Sequence, residues 1–88
     1  MANTKSAEKA ARQAEKRRAR NVALRSRMRT AIKKVRTAIA SGNKQQAEEA
    51  FRASMPLIDS LVNKRIIHRN KAARHKSRLA ARIRAMQG

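Results

Sequence analysis

The 88-residue chain has no cysteine, one proline, two glycines and a single aromatic residue, Phe51. Without cysteine it forms neither disulfides nor thiolate metal sites, which support many very small folds. The scarcity of turn residues and aromatic side chains argues against a sheet protein, because strands are rich in aromatic and β-branched residues and are joined by frequent turns. We therefore expect an all-α protein, and the length limits it to one domain, residues 1–88.

Long apolar runs are also missing. Uninterrupted apolar stretches span only a few residues, such as residues 79–81, whereas crossing a bilayer takes about 20. The first twenty residues are basic, but the apolar segment of a secretory signal does not follow them. We expect a cytoplasmic protein with no membrane partner.

Acidic residues are few, and the charge is unevenly distributed. Lys and Arg total 24 against 5 Asp and Glu, a net charge of +19. The net charge is +11 over residues 1–40, −1 over residues 41–63 and +9 over residues 64–88. Solubility alone does not require such asymmetry, so the two cationic segments predict a polyanionic partner.

Apart from Met1, bulky apolar residues are absent before Val22. The apolar content of residues 1–21 is otherwise alanine, which favours helix but contributes almost no hydrophobic area. We therefore divide the domain into a basic helical extension, residues 1–21, and a bundle, residues 22–86. The extension is expected to depend on its partner for order.

Apolar periodicity predicts three helices. Steps of three and four residues predict a first helix from near Thr4 or Ser6 to Ala40 and a second one kinked at Pro56. A third helix is expected from Ile66 or Ile67 to about Ala85. The predicted apolar faces are Leu24, Met28, Ala31, Ile32, Val35, Ala38 and Ile39 on the first, Ala47, Phe51, Met55, Ile58, Leu61 and Val62 on the second, and Leu79, Ile83 and Met86 on the third.

Turn residues separate the helices unequally. Ser41, Gly42 and Asn43 supply a C-terminal glycine and an N-cap, with Gln46 three residues later, whereas the second turn is marked only by Asn63 and a change of pattern. Short turns favour antiparallel neighbours. The predicted fold is a three-helix antiparallel bundle with a long, projecting basic first helix.

Cations surround the predicted first helix, a pattern that suits a helix wedged between nucleic-acid segments better than one lying on a single surface. A solvated charged face is the alternative, but solvated helices carry interspersed acids that are scarce here. Short hydroxyls complement the long cations as phosphate ligands. The candidate residues on this helix are Lys5, Lys9, Arg12, Lys16, Arg17, Arg18, Arg20, Arg25, Ser26, Arg29 and Thr30.

The third helix carries a second set of donors without carboxylates. Two of them, His68 and His75, are seven residues apart and could share a helix face, but with no cysteine and no carboxylate nearby we expect no metal and no other cofactor. They are better interpreted as phosphate or base-edge donors. The candidate residues here are His68, Asn70, Lys71, Arg74, His75 and Arg78.

Catalysis and stacking on bases are both disfavoured. The five acids are not paired with a base on one helix face, no glycine-rich phosphate loop exists, and one aromatic residue does not make a stacking platform. We expect neither an enzyme nor a small-molecule substrate, and recognition of nucleic acid through shape and backbone.

Three other partners stay open. Charge and helix do not distinguish A-form from B-form duplex, so a DNA-packaging role is the nearest rival. A membrane-active peptide is disfavoured because residues 2–21 lack a bulky apolar face. An acidic partner protein would leave the charge of residues 64–88 unexplained.

Three sequence stretches resemble the bacterial small-subunit ribosomal protein S-twenty family. They are MANTKSA at residues 1–7, MRTAIKKV at residues 28–35 and, most specifically, IHRNKAARHKSRL at residues 67–79, and the resemblance covers the whole chain. It implies a three-helix bundle with an extended first helix, direct binding to small-subunit (16S) ribosomal RNA, an early role in subunit assembly and a place on the ribosome. Arg65 departs from the pattern, because the family often carries glycine just before the third helix.

Overall fold

Three α-helices account for the secondary structure of residues 3–87, the part of the chain that this computed structural model describes. They are α1 (Asn3–Ala40), α2 (Lys44–Asn63) and α3 (Arg69–Arg84), and no strand is present among the described residues. The predicted all-α bundle is confirmed. Residues 1–2 and 88 of the predicted domain lie outside the described residues.

The first helix is much longer than its neighbours. Its 38 residues span about 57 Å at the α-helical rise, and the described part of the molecule measures 68 × 21 × 15 Å. Residues 4–20 are all exposed, so this part of α1 projects beyond the other two helices. Packing begins at Leu24, which is half-buried, whereas Val22 remains 57% exposed.

The turn between α1 and α2 has the geometry that its sequence predicts. Gly42 has a φ of +80°, in the left-handed region that glycine adopts without steric penalty. The Gly42 N–H donates to the Ile39 carbonyl (3.1 Å), and the Asn43 N–H donates to the Ala38 carbonyl (3.3 Å). Asn43 then caps α2, since its side-chain oxygen accepts from the Gln46 N–H at 3.0 Å. These bonds make α1 and α2 antiparallel neighbours.

The core lies where the three apolar faces meet. The predicted face of α1 is buried or half-buried throughout, and Val35, Ile58 and Leu61 are completely inaccessible. Ser54 is also buried, with 1% exposure. Its hydroxyl donates to the Phe51 carbonyl of its own helix (2.7 Å), so no polar group of this side chain is left unpaired in the core. The buried apolar residues are Met28, Ile32, Val35, Ala38, Ala47, Ile58, Leu61, Ile66, Ile67, Ala72, Leu79 and Ile83.

Pro56 lies inside α2 without ending it. Proline lacks the N–H that would bond the carbonyl four residues earlier, which belongs to Arg52. Both residues are exposed, so water can hydrate that carbonyl. Helix therefore continues on both sides of the proline.

The second turn differs from the prediction, because α3 begins at Arg69 and not at Ile66 or Ile67. The Ile66 N–H donates to the Leu61 carbonyl (2.9 Å), and the Arg65 N–H donates to the Val62 carbonyl (2.9 Å). This pair of bonds is a Schellman motif, which ends a helix through one residue in the left-handed conformation. Ile66 and Ile67 are buried in the turn, so their apolar character reflects the core and not a helix face.

Arg65 is the left-handed residue of this motif, with a φ of +59°. Such a conformation costs an L-residue about 1 to 2 kcal/mol, whereas glycine adopts it freely but loses more entropy on folding. Replacing Arg65 by glycine is therefore expected to raise the free energy of unfolding by about 0.5 to 1 kcal/mol. Denaturant unfolding followed by circular dichroism measures the change.

Arg65→Ala is the matched control, because it removes the same guanidinium but keeps a Cβ at positive φ. It is expected to give no such stabilisation. Equal stabilities of the glycine and alanine variants would assign any gain to the lost charge and contradict the backbone explanation.

Candidate nucleic-acid interface

The projecting part of α1 presents its cations to solvent around most of its circumference, and Glu8 and Glu15 share one remaining side. The predicted residues Lys5, Lys9, Arg12, Lys16, Arg17, Arg18 and Arg20 all lie on this segment and are all exposed. No other helix covers them, so a polyanion can approach each one. The uninterrupted helix fixes their order and spacing along one rod.

The cations of α1 follow two flanks that run from the projecting part into the bundle, one on each side of the buried apolar stripe. The first, which we call the groove flank, consists of Lys9, Lys16, Arg20, Arg27 and Lys34, separated by steps of four and seven residues. Such steps keep residues on one side of an α-helix. Arg27 and Lys34 were not among the predicted site residues, although they continue the seven-residue spacing from Arg20.

The second flank, the α3 flank, consists of Arg18, Arg25, Arg29 and Arg36. Arg25 has a structural bond, because its Nη2 donates to the Ile66 carbonyl at 3.2 Å. This bond ties α1 to the second turn. Arg25 remains exposed, and its remaining guanidinium donors are available to a ligand.

Four predicted residues lie on α3, and one of them, His75, is near Arg36 of the α3 flank. Lys71, Arg74 and Arg78 are exposed, and His75 is half-buried. Burial lowers the pKa of His75, and the charges of Lys71, Arg36, Arg78 and Arg74 lower the pKa further. The neutral ring is thus favoured in the free protein, where it adds hydrogen-bonding capacity to a cluster of cations.

Arg36 joins this cluster from α1 and was also missed. Its charge acts on the His75 ring of α3, so the two helices contribute cations to one surface. In sequence the two residues are far apart, and only the packing of α3 against α1 brings them together.

His68 and Asn70 lie at the start of α3. His68 is its N-cap: Nδ1 of the imidazole accepts from the Asn70 N–H at 3.0 Å. Nδ1 is therefore an acceptor, and in the neutral ring the proton is on Nε2. His68 can present that N–H to a ligand, but its first role is to cap the helix.

Ser26 and Thr30 lie one turn apart on α1, both exposed. The Thr30 hydroxyl donates to the Ser26 carbonyl at 3.0 Å. Its proton is consequently used inside the helix, and the free capacity of this hydroxyl is that of an acceptor. Thr30 can therefore serve a ligand as an acceptor while this bond is in place, and the predicted phosphate contacts of Ser26 and Thr30 stay predictions.

Acidic groups scarcely counter these cations. Asp59 of α2 accepts from the Lys76 ammonium of α3, and this is the one salt bridge found within residues 3–87. Lys76 is thereby held to α2, while the cations of both flanks lack a salt-bridge partner there. A dense, uncompensated positive surface of this kind is the electrostatic footprint of a nucleic-acid-binding protein.

Comparison with known proteins assigns the family. The family model described as Ribosomal protein S20 matches residues 2–84. Small ribosomal subunit protein bS20 of Thioalkalivibrio sulfidiphilus is 60% identical, over 98% of this chain and 100% of its own length. The chain belongs to the ribosomal protein S20 family.

Other relatives agree over the whole length. The protein of the same name from Methylococcus capsulatus is 64% identical, over 98% of this chain and 94% of its own length. That of Alkalilimnicola ehrlichii is 57% identical over the full length of both chains. The predicted family is confirmed.

Membership of the S20 family settles the class of function. The family consists of structural proteins of the cytoplasmic ribosome and not of enzymes. In the part of the chain that the structure describes, no group of three or more metal-ligating side chains occurs. Over the same residues, no helix is long and apolar enough to span a membrane.

Proposed function

We propose that the protein binds small-subunit (16S) ribosomal RNA directly through two cationic helices, α1 and α3, and supports early assembly of the subunit. The observation that carries this proposal is the continuous series of exposed cations along α1, without salt-bridge partners among the described residues. The relatives with which the chain aligns end to end are named as small-subunit ribosomal proteins.

The two parts of the domain have different tasks in this proposal. The predicted extension, residues 1–21, would insert between RNA segments, because cations surround most of the described residues 4–20. Residues 22–86 form the bundle that aims the extension and adds the second surface on α3. The two flanks of α1 lie on opposite sides, so each would face a different stretch of RNA backbone.

The proposed contacts are predominantly with phosphates. Lysine and arginine neutralise phosphate charge, and hydroxyl, amide and imidazole groups add shorter hydrogen bonds that fix orientation. From α3 these are His68, Asn70, Lys71, Arg74, His75 and Arg78, to which the structure adds Arg36 of α1 through its proximity to His75. RNA would thus be recognised by shape and backbone, without stacking on aromatic side chains.

An early role in assembly is supported by the way the extension is built. Residues 4–20 are all exposed, so RNA is the component expected to hold them in place. A protein that needs only RNA for its binding surface can join before other proteins. Because it then neutralises phosphates on two sides, it would lower the repulsion between RNA segments.

Replacing Arg12, Lys16 and Arg20 together by alanine tests the proposal. Alanine keeps the helix propensity, and these positions precede the core, so the melting temperature is expected to stay nearly unchanged. Affinity for a 16S ribosomal RNA transcript is expected to fall about 3- to 150-fold, since each of the three exposed ion pairs contributes about 0.2 to 1 kcal/mol. Filter binding at fixed salt measures the loss.

The matched control replaces Lys44, Arg52 and Lys64 by alanine, which removes the same charge from outside both surfaces. It is expected to bind nearly as tightly as the parent. If the Arg12, Lys16 and Arg20 variant bound as tightly as the parent, the projecting helix would not be the binding element, and α3 would have to carry recognition alone.

Competition with duplex DNA distinguishes the proposed function from DNA packaging, its nearest rival. A DNA-packaging protein would prefer duplex DNA to 16S ribosomal RNA, or bind both equally, at the same salt concentration. The proposed function requires ribosomal RNA to win this competition.

A further inference from the structure

A groove runs between α1 and α2 on the side of the groove flank. It consists of two adjoining cavities of about 430 Å³ each, which share Thr30 and Lys34. In the first cavity, α2 contributes only the small side chains of Ala50, Ala53 and Ser54. Small residues on one wall leave room for a chain-like ligand to lie against α1.

Three hydroxyl groups along this groove have already used their protons. The Thr30 hydroxyl donates to the Ser26 carbonyl (3.0 Å), that of Ser41 to the Ala38 carbonyl (2.8 Å) and that of Ser54 to the Phe51 carbonyl (2.7 Å). A hydroxyl that has donated retains lone pairs only. Thr30 and Ser41 are exposed, and they therefore offer hydrogen-bond acceptors to whatever enters the groove.

The same groove offers cations at intervals along α1. Arg27 lines the first cavity, Lys33 the second and Lys34 both, and no carboxylate lines either one. A complementary ligand must be anionic at some points and donate hydrogen bonds at others. Inorganic phosphate and DNA supply the anion but no sugar hydroxyl, whereas each RNA nucleotide has a phosphate and a 2′-hydroxyl donor.

We propose that this groove binds a sugar-phosphate strand of RNA, with ribose 2′-hydroxyls donating to Thr30 and Ser41 and phosphates accepting from Arg27, Lys33 and Lys34. The inference rests on the proposed RNA binding and adds a means of telling RNA from DNA. It also gives α2, the segment with almost no net charge, a part in recognition as the wall of the groove.

The experiment is 2′-deoxy interference with the full-length protein. Transcripts of 16S ribosomal RNA carrying sparse 2′-deoxy substitutions are bound and separated into bound and free fractions. The parent is expected to reject substitutions within a short tract. The double variant Thr30→Val, Ser41→Ala is expected to bind about 5- to 150-fold more weakly, at about 0.5 to 1.5 kcal/mol for each of the two lost hydrogen bonds, and to tolerate deoxy substitution in that tract.

Ser60→Ala is the control, since it removes a hydroxyl from α2 outside both cavities and both cationic surfaces, and it is expected to keep the parental interference pattern. Unchanged thermal melting shows that the groove variant is folded. An identical pattern for parent and groove variant would overturn this inference alone, including the case in which a protein segment fills the groove. Absence of binding by the parent would overturn it together with the proposed function.

Discussion

Raising the salt concentration from 50 to 200 mM is expected to weaken binding to 16S ribosomal RNA about 10³- to 10⁵-fold, if about 6 to 10 phosphates are neutralised. Each phosphate contact releases condensed counterions, and the entropy of their release falls as bulk salt rises. The extension alone carries seven of the predicted cations, all exposed, and the bundle adds more. These exposed cations are numerous enough to supply the predicted number of contacts.

The slope of log affinity against log salt is the quantity to measure. Removing Arg12, Lys16 and Arg20 together is expected to reduce that slope by about 3, because each lysine or arginine on a phosphate contributes about 1. The groove variant that removes only hydroxyls should keep the parental slope. A binding constant that stays flat across this salt range would eliminate the electrostatic mechanism.

The parts of the fold that could be predicted are those that repeat a local rule. The apolar stripe from Leu24 follows helical spacing over several turns, and Gly42 with Asn43 gives a turn whose geometry only a few residue types favour. Each rule involves residues close in sequence. The local amino-acid sequence is therefore enough to place α1, the first turn and the start of α2.

The second turn could not be placed by the same rules. Arg65 occupies the left-handed position of the turn, and His68 is the N-cap of α3. Neither residue type is a usual signal for its role. Ile66 and Ile67 look like the beginning of an apolar helix face, but burial in the turn explains them equally well. Tertiary packing decides between these interpretations, and the sequence does not describe that packing directly.

The candidate site shows the same division. The cations of the extension could be found from composition and spacing, because no other element changes their surroundings. Arg36 could not, since its relevance arises from the distance between α1 and His75 on α3. The hydrogen bonds that make acceptors of the Thr30 and Ser41 hydroxyls are likewise visible only in the three-dimensional structure.

Replacing Leu61 by alanine is expected to lower the free energy of unfolding by about 2 to 5 kcal/mol, through lost burial and the cavity that remains. Leu61 has 0% exposure, and its backbone carbonyl accepts from the Ile66 N–H in the second turn. Ile66 is the residue of that motif that packs back against its helix. Truncation of Leu61 therefore weakens both the core and the connection that places α3.

A loss of that size is a large fraction of the stability of any domain this small. Ile32→Val provides a milder core variant, expected to cost about 0.5 to 1.5 kcal/mol. Val22→Ala is the surface control, because Val22 is 57% exposed and such changes usually stay within about 0.5 kcal/mol. Denaturant unfolding of the three variants should rank them in this order, and equal effects of Leu61→Ala and Val22→Ala would contradict the described core.

RNA binding by the Leu61 variant distinguishes the role of the bundle from that of the cations. Every cation is still present in this variant, so affinity falls only to the extent that the bundle no longer aligns α1 with α3. Binding must be measured where the variant is folded, or corrected for its folded fraction, because RNA stabilises the folded form by mass action. After that correction, parental affinity would mean that the two helices bind RNA independently, whereas a remaining loss would show that their relative placement is itself part of the binding site.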